Sequence, residues 1–376
     1  MPIVNSNYYR IYPTHTVTVS LPEIFHTHNV LGKGLFWYIE VCDNFSFDKE
    51  LWASVLPALA IDKLKKGSMK LIVNNYHEAF TEIVDPLYKL LVLDYGINEQ
   101  NIVLVTSARD IGATVSQVAT CYNKKPINVL LSSELDFYIQ QQEKRNKIHH
   151  NRNSNVTKKF INLNRRWRSH RTAFVALLSV HNLLEYGYVS LMEFEGDNWH
   201  TRWDNMLVTH PKLQNIFKDH KEQILSIPNL IVDSDDLSST PAYHPANEIS
   251  IYQDSYFSVV SETYYYNNKT RFITEKTLRT IVSKHPFILL APPRSLDFFR
   301  EKGYKTFSPF INEDYDSIVN DDDRMLMVLE ETKRLCQLNH NELNDFVEGT
   351  KEICDHNYDL FMTKDHAFIP ISVDNN

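Results

Sequence analysis

The chain has 376 residues, of which 43% are hydrophobic and 23% charged, so it is long enough for two globular domains of ordinary size. Its formal net charge of −8 at pH 7 argues against a surface that attracts nucleic acid or an anionic membrane. Any phosphate that the protein binds must therefore be held by a local group of basic residues.

The four cysteines are scattered without CxxC spacing, which argues against a disulfide framework and a structural zinc site. The amino terminus lacks the apolar core of a signal peptide, and no apolar run long enough for a transmembrane helix occurs. We therefore expect a soluble, cytoplasmic protein with no transmembrane segment.

In the first part of the chain, strand-like apolar runs alternate with segments of helical period. The predicted strands are 17–19, 35–41, 69–73, 102–105 and 129–131, and the predicted helices are 47–65, 79–95 and 111–122. This alternation predicts a mostly parallel α/β sheet. The polar stretch from Glu143 to Lys159 is interpreted as a solvated linker rather than a binding arm, so the first domain is assigned to residues 1–155.

The alternation of strands and helices resumes after this linker. The predicted strands are 160–163, 230–232, 257–260, 287–290 and 304–307, and the predicted helices are 172–186, 274–284, 295–302, 323–337 and 346–361. We assign the second domain to residues 156–343. The final segment, 344–361, is a candidate to pack back on the first domain.

Four arginines lie within seven positions at the carboxyl end of the predicted strand 160–163: Arg165, Arg166, Arg168 and Arg171. In open α/β sheets, ligands bind at this end of the strands. The forked donors of arginine match phosphate oxygens, and the following helix presents free N–H groups to the same place. Spacing alone supports equally a diphosphate site and a solvated turn whose arginines pair with the protein's many acids.

A second informative segment is the start of the helix predicted from Thr274. Thr274 can cap this helix, and Glu275 lies in the first turn, where the helix dipole favours a carboxylate. Lys276 opposes the dipole and gains little there unless an anion is brought to it. We therefore predict that Lys276 and the arginines hold the phosphates of one ligand.

Other signals for catalysis or metal binding are weaker. The sequence contains neither GxGxxG nor GxxxxGK[ST], so side chains would have to hold the phosphates. The D-x-D in Asp233–Asp236 is more often a surface loop than a metal site, so no metal is expected. His77 and Glu78 follow the predicted strand 69–73 and are the candidates for a general base, although a helix-capping role for Glu78 fits the spacing better.

Two segments resemble the donor-binding domain of GT-B glycosyltransferases, in particular the fucosyltransferase-like group. Ser255–Phe307 is similar to the family pattern of a strand, a variable loop, [IV]-[TS]-E-K at the start of a helix, and a second strand. Asn164–Leu177 is similar to the arginine-bearing turn that opens the second domain. The resemblance covers only the C-terminal half. It implies two Rossmann-like α/β domains that face a cleft, with a nucleoside-diphosphate sugar bound in the second.

The resemblance also implies roles for individual residues. Glu275 would meet the ribose of the nucleotide, Lys276 and Arg171 would meet the diphosphate, and neither a metal nor a cofactor would be required. The strand after this helix departs from the family, because HPFILLAPPRSLDFF replaces a glycine-containing turn, so the sugar is not assigned.

The expected reaction transfers a sugar to a hydroxyl of a glycan or small molecule. One alternative is a DNA-modifying glycosyltransferase that acts on a hydroxylated nucleobase, which the net charge disfavours. Another is a non-catalytic module that binds nucleotide sugars or glycans.

Overall fold

The structure is a computed structural model of the whole chain, and it describes most of the residues. The described residues are 8–11, 16–18, 36–41, 47–75, 81–108, 111–131, 139–140, 143–144, 156–165, 167–192, 196–232, 249–266, 272–364 and 369–371.

The chain divides into two compact units. The first contains Met1–Phe137, Lys269–Phe272 and Asp365–Asn376, and the second contains Tyr138–Asn268 and Ile273–Lys364. The helix from His340 to Thr363 thus belongs to the second unit, whereas the sequence had offered 344–361 as a candidate for the first.

The first unit contains a seven-stranded sheet. The strands are β1 (Tyr8–Ile11), β2 (Thr16–Thr18), β3 (Phe36–Val41), β4 (Lys70–Asn75), β5 (Ile102–Thr106), β6 (Asn128–Leu131) and β11 (Ile369–Ile371). Their order in the sheet is β11-β6-β5-β4-β3-β1-β2. Strands β3 to β6 are parallel, β1 is parallel to β3, and the two edge strands β2 and β11 are antiparallel to their neighbours. Its α-helices are α1 (Lys49–Val55), α2 (Ala58–Lys65), α3 (Val84–Leu87) and α4 (Ile111–Cys121).

Two predicted helices of this unit differ from their expected form. The segment 47–65 forms two helices, because Pro57 stands at the amino terminus of α2 and cannot continue α1. The described part of 79–95 forms a short 3-10 turn at Thr81–Ile83, then α3, and then a π-helix over Tyr88–Asp94. The α/β class predicted for this region is nevertheless confirmed.

The second unit contains a four-stranded, fully parallel sheet. Its strands are β7 (Phe160–Asn164), β8 (Gly187–Leu191), β9 (Phe257–Ser261) and β10 (Phe287–Leu290), and their order in the sheet is β10-β9-β7-β8. Its helices are α5 (Ser169–Val180), α6 (Trp199–Thr209), α7 (Gln214–Asp219), α8 (Lys221–Leu225), α9 (Ile249–Gln253), α10 (Glu275–Val282), α11 (Ser295–Glu301), α12 (Asp321–Gln337) and α13 (His340–Thr363). Parallel strands with intervening helices are consistent with the predicted Rossmann-like pattern.

Three details of the second unit differ from the predictions. The sequence reading missed β8, because its short apolar run follows closely on the helical segments Ser169–Val180 and Leu184–Tyr186. The predicted strand 230–232 is reduced to a single bridge between Leu191 and Leu230. The predicted strand 304–307 is not a strand.

Helix α5 lies at the centre of the second unit. All ten residues from His170 to Ser179 are buried, because β-strands and the helices α6, α8 and α12 pack around it. Such a helix has no solvated face, which is consistent with the unbroken apolar run from Ala173 to Leu178. None of the helices in the described part of the chain is long and apolar enough to cross a membrane.

Candidate functional site

The second sheet has a topological switch point between β7 and β9. The chain leaves β7 for β8 on one side of the sheet, whereas it leaves β9 for β10 on the other side. The loops after these two neighbouring strands therefore diverge, and open α/β sheets bind ligands at the carboxyl ends of their strands at such a point. Both segments singled out in the sequence begin in these two loops.

The loop after β7 carries the arginine-rich turn. Arg168 has extended backbone angles (φ −140°, ψ 145°) and precedes α5, and its carbonyl accepts from the Thr172 hydroxyl at 3.0 Å. Arg165 and Arg168 are exposed. Arg166 lies outside the described residues.

Arg171, in the first turn of α5, is only 3% exposed. Its Nη2 donates to the backbone oxygens of Ser261 (3.3 Å) and Glu262 (3.2 Å), at the carboxyl end of β9. Burial, reinforced by the charge of Arg168, lowers the pKa of Arg171 to about 10, against the opposing effect of Glu275 and Glu262. Arg171 is therefore still a cation at neutral pH, and it joins the two loops of the switch point.

The side chain of Glu262 connects the end of β9 to the start of α10. It is fully buried directly after β9, and it accepts hydrogen bonds from the first turn of α10. Its donors are Thr274 N (3.0 Å), the Thr274 hydroxyl (2.5 Å) and the Thr277 hydroxyl (2.5 Å). One carboxylate thus fixes the start of α10 against the end of β9.

The start of α10 has the cap that the sequence predicts. The Thr274 hydroxyl accepts from Lys276 N at 3.4 Å, and Glu275 occupies the first turn. Lys276 Nζ donates to Glu275 Oε1 at 2.7 Å, and both side chains are about one-fifth exposed (22% and 21%). In the free protein, Glu275 therefore neutralises the lysine that opposes the helix dipole.

This ion pair has a strong effect on the titration of Glu275. Burial alone would raise the pKa of Glu275, but the charge and hydrogen bond of Lys276, with a further contribution from Arg279, lower it to about 2. Glu275 is therefore ionised throughout the physiological pH range.

The rings of His170 and Tyr265 pack against each other beside Arg171. His170 Nε2 bonds to the Glu262 carbonyl at 2.9 Å, and its ring stacks on Tyr265 with centroids 5.1 Å apart. Burial, reinforced by Arg171, lowers the pKa of His170 well below its ordinary value. His170 is therefore a neutral donor through Nε2, because the carbonyl oxygen can only accept.

A chain of hydrogen bonds connects Tyr266, whose ring contacts His170, to α12. His210 Nδ1 lies 2.6 Å from Asp322 Oδ1, and His210 Nε2 lies 3.3 Å from the Tyr266 hydroxyl. Burial lowers the pKa of His210, although its hydrogen bond to Asp322 opposes the shift. This chain fixes the loop after β9 from a second side.

The structure brings several of the predicted site residues to one place. Arg168 and Arg171 lie at the start of α5, Arg165 directly follows β7, and Thr274, Glu275 and Lys276 lie at the start of α10. Arg171 senses the charge of Glu275, which links the two groups electrostatically. The predicted catalytic residues His77 and Glu78 lie outside the described residues, as does the acidic loop Asp233–Asp236.

Glu262, His170 and His210 were not singled out in the sequence. The one available signal was the position of Glu262, an acid directly after the buried strand FSVVS. Within the described part of the chain, no cluster of three or more His, Cys, Asp or Glu residues could hold a metal ion.

Comparisons with known proteins add little to this picture. No protein-family model matches the chain, and no curated protein matches it. A solved structure of a glycosyltransferase from Rickettsia africae ESF-5 is similar over 84% of this chain and 76% of its own length, with 12% identity and a TM-score of 0.29.

Proposed function

We propose that the chain is a glycosyltransferase that binds a nucleoside-diphosphate sugar in the second unit and transfers the sugar to a hydroxyl acceptor. One observation carries the proposal: basic side chains and the amino termini of α5 and α10 converge on the switch point between β7 and β9. Helix amino termini and cations both favour phosphate, and a switch point is where such sheets bind nucleotides. The resemblance to fucosyltransferase-like GT-B enzymes agrees with this proposal.

In the proposed complex, the diphosphate replaces Glu275 as the partner of Lys276. Glu275, ionised at neutral pH, is then able to accept hydrogen bonds from the ribose hydroxyls. Arg171 contributes its charge from within the protein, because its Nη2 is engaged by the carbonyls of β9. The exposed Arg165 and Arg168 are the side chains of the turn that can approach the phosphates from solvent.

Chemically, a bond forms between the acceptor oxygen and the anomeric carbon, and the bond from that carbon to the phosphate oxygen breaks. The acceptor proton passes to a general base, for which His77 and Glu78 of the first unit remain the candidates. Negative charge develops on the departing diphosphate, and Lys276 and the arginines would stabilise it. The proposed reaction requires no metal ion or cofactor.

The test is thermal unfolding of the protein with a panel of nucleoside diphosphates and nucleotide sugars. A ligand at one hundred times its Kd should add about 2.7 kcal/mol of stability. A panel in which no nucleotide stabilises the protein would contradict the proposal.

Turnover separates an enzyme from a binding module. With the stabilising donor, release of nucleoside diphosphate in the presence of candidate acceptors is expected, and its absence with every acceptor would favour a non-catalytic module. Activity on DNA that falls steeply with salt would favour the nucleobase acceptor.

A further inference from the structure

Strands β7 and β9 separate toward their carboxyl ends. They pair only at Phe160 with Phe257 and at Ile161 with Ser258. β7 continues to Asn164 alongside β8, and β9 continues to Ser261 alongside β10. The opening between them, which we call the β7–β9 wedge, is therefore part of the switch point itself.

The side chain of Asn162 reaches across this wedge. Its Nδ2 donates to the Val259 carbonyl at 2.8 Å and to the Ser261 hydroxyl at 3.0 Å. A side-chain amide thus satisfies a carbonyl of β9 at a level where the backbones no longer pair. The backbone oxygen of Ser261 also accepts from Arg171, so the wedge adjoins the proposed donor site.

Asn164 continues this line of amides toward the end of β7. Its Nδ2 donates to Asn162 Oδ1 at 2.7 Å, and its backbone N–H donates to the Ser190 hydroxyl at 2.9 Å. Asn162 cannot be turned over, because its Nδ2 already serves two acceptors on β9. Asn164 cannot be turned over either, because its own Nδ2 must face Asn162 Oδ1.

This arrangement leaves one acceptor unused. Asn164 is fully buried, and its Oδ1 has no hydrogen-bond partner among the residues that the structure describes. Buried polar atoms are rarely left unpaired, so such an atom at a ligand-binding edge calls for a donor from outside the chain. A diphosphate offers only acceptors at neutral pH and cannot supply it.

We infer that Asn164 Oδ1 accepts a hydrogen bond from a sugar hydroxyl of the bound nucleotide, which makes Asn164 a specificity-determining residue. The inference rests on the proposed function. The hydroxyl belongs either to the ribose or to the transferred sugar, and both present the same donor. The basic residues thus bind the phosphates, whereas the wedge distinguishes a ligand with the hydroxyl from one without it.

The test compares equilibrium affinities of the wild type and Asn164→Leu, which keeps the size of the side chain and removes the acceptor. The probes are GDP and UDP, their 2′-deoxy and 3′-deoxy forms, GDP-mannose and UDP-glucose. Loss of one such hydrogen bond should weaken binding by about threefold to tenfold. Removal of the hydroxyl that Asn164 binds should weaken nucleotide binding to the wild type by the same factor. It should leave the affinity of Asn164→Leu unchanged.

The probes also identify the sugar. A ribose contact appears with GDP or UDP alone, whereas a contact to the transferred sugar appears as tighter binding of GDP-mannose or UDP-glucose that Asn164→Leu abolishes. The inference is overturned if the nucleotides bind but Asn164→Leu has wild-type affinity, or if deoxygenation costs both proteins equally. In those cases the nucleotides still bind, so the proposed donor site is retained. Failure of the wild type to bind any probe would overturn the donor site and the inference together.

Asn357→Leu is the matched control. Asn357 is also buried, but both ends of its amide are paired with the Lys305 backbone at 2.8 Å. Asn357→Leu should lower the midpoint of thermal unfolding at least as much as Asn164→Leu and leave nucleotide affinity unchanged. Equal loss of affinity in the two variants would trace the effect to general destabilisation and overturn the inference.

Discussion

The two edges of the second sheet use lysine in opposite ways. At the amino edge, Lys159 precedes β7, and its Nζ donates to the carbonyls of Cys336 (2.5 Å) and Leu338 (2.8 Å) at the end of α12. A cation at a helix carboxyl terminus is stabilised by the helix dipole. At the carboxyl edge, Lys276 lies in the first turn of α10, where the dipole opposes it. Position relative to a helix thus separates a lysine that stabilises the fold from one suited to a ligand.

The polar side chains of the two edges differ in the same way. At the amino edge, the Tyr256 hydroxyl lies 2.9 Å from His340 Nδ1, and the Ser258 hydroxyl lies 2.8 Å from His285 Nδ1. At the carboxyl edge, Asn164 keeps an unused buried acceptor. At the amino edge these hydroxyl groups have hydrogen-bond partners within the protein. In the proposed function, a bound molecule supplies the missing hydrogen bond at the carboxyl edge.

The largest expected effect on activity comes from replacing Lys276, and Lys159 is the comparison. Lys276→Met should lower sugar transfer by about a hundredfold to a thousandfold, because one donor to the developing charge is lost. Its unfolding free energy should fall by no more than about 1 kcal/mol, since the lost ion pair with Glu275 is partly exposed and the helix dipole opposes Lys276. Steady-state kinetics with a verified donor, together with denaturant titration, measure both quantities.

Lys159→Met should show the reverse pattern, with lower stability and wild-type turnover per folded molecule. If the two variants lost activity and stability in the same proportion, the contrast between the edges would be wrong.

A smaller effect is expected from Arg171→Lys. Arg171 is buried and bridges two backbone carbonyls, and lysine supplies a compact charge rather than a planar fork. Donor affinity should fall by about tenfold, because lysine does not reproduce the bonds to Ser261 and Glu262 that fix the start of α5 to the end of β9. Calorimetric titration of the donor measures the change. Arg165→Lys, on the exposed part of the turn, is the comparison: it keeps a solvated charge and should change donor affinity less, and equally small effects from both would make the turn a solvated surface.

The smallest effect concerns the ion pair of Glu275. Because the folded pKa of Glu275 is lowered from 4.5 to about 2, its stabilising effect is present above pH 4.5 and is lost as pH falls toward 2. Wild type should therefore be more stable than Glu275→Gln at pH 6, by an amount on the order of 1 kcal/mol for a partly exposed pair. Denaturant unfolding between pH 6 and pH 2 measures the difference. A difference that stayed constant over this range would exclude the ion pair as its cause.

The sequence predicted the local part of this site and missed the long-range part. The cap at Thr274 and the first-turn position of Glu275 depend on neighbouring residues, so propensity and pattern suffice to find them. The bond from Glu262 to Thr274 crosses a loop that no local rule describes. The unused acceptor of Asn164 depends on how far β7 and β9 separate, which is a property of the assembled sheet.

The same distinction applies to the fold. Short, mainly apolar runs such as 102–105 and 257–260 predicted buried strands, because their composition favours burial. The order of the strands, and hence the switch point, is set by packing. The glycine that opens the strand Gly187–Leu191 also depends on packing, since the Phe160 ring of the neighbouring strand lies 2.5 Å from where a Cβ would be.

The complete burial of α5 bears on the rigidity of the site. The amide hydrogens of its second and third turns should exchange with solvent only when the second unit unfolds as a whole, because the residues from His170 to Ser179 are buried on every face. Arg168 and Arg171 are attached to the amino end of this helix. The conformational entropy needed to order that end is therefore lost during folding and not when a ligand binds, so a ligand there meets a surface that is already organised.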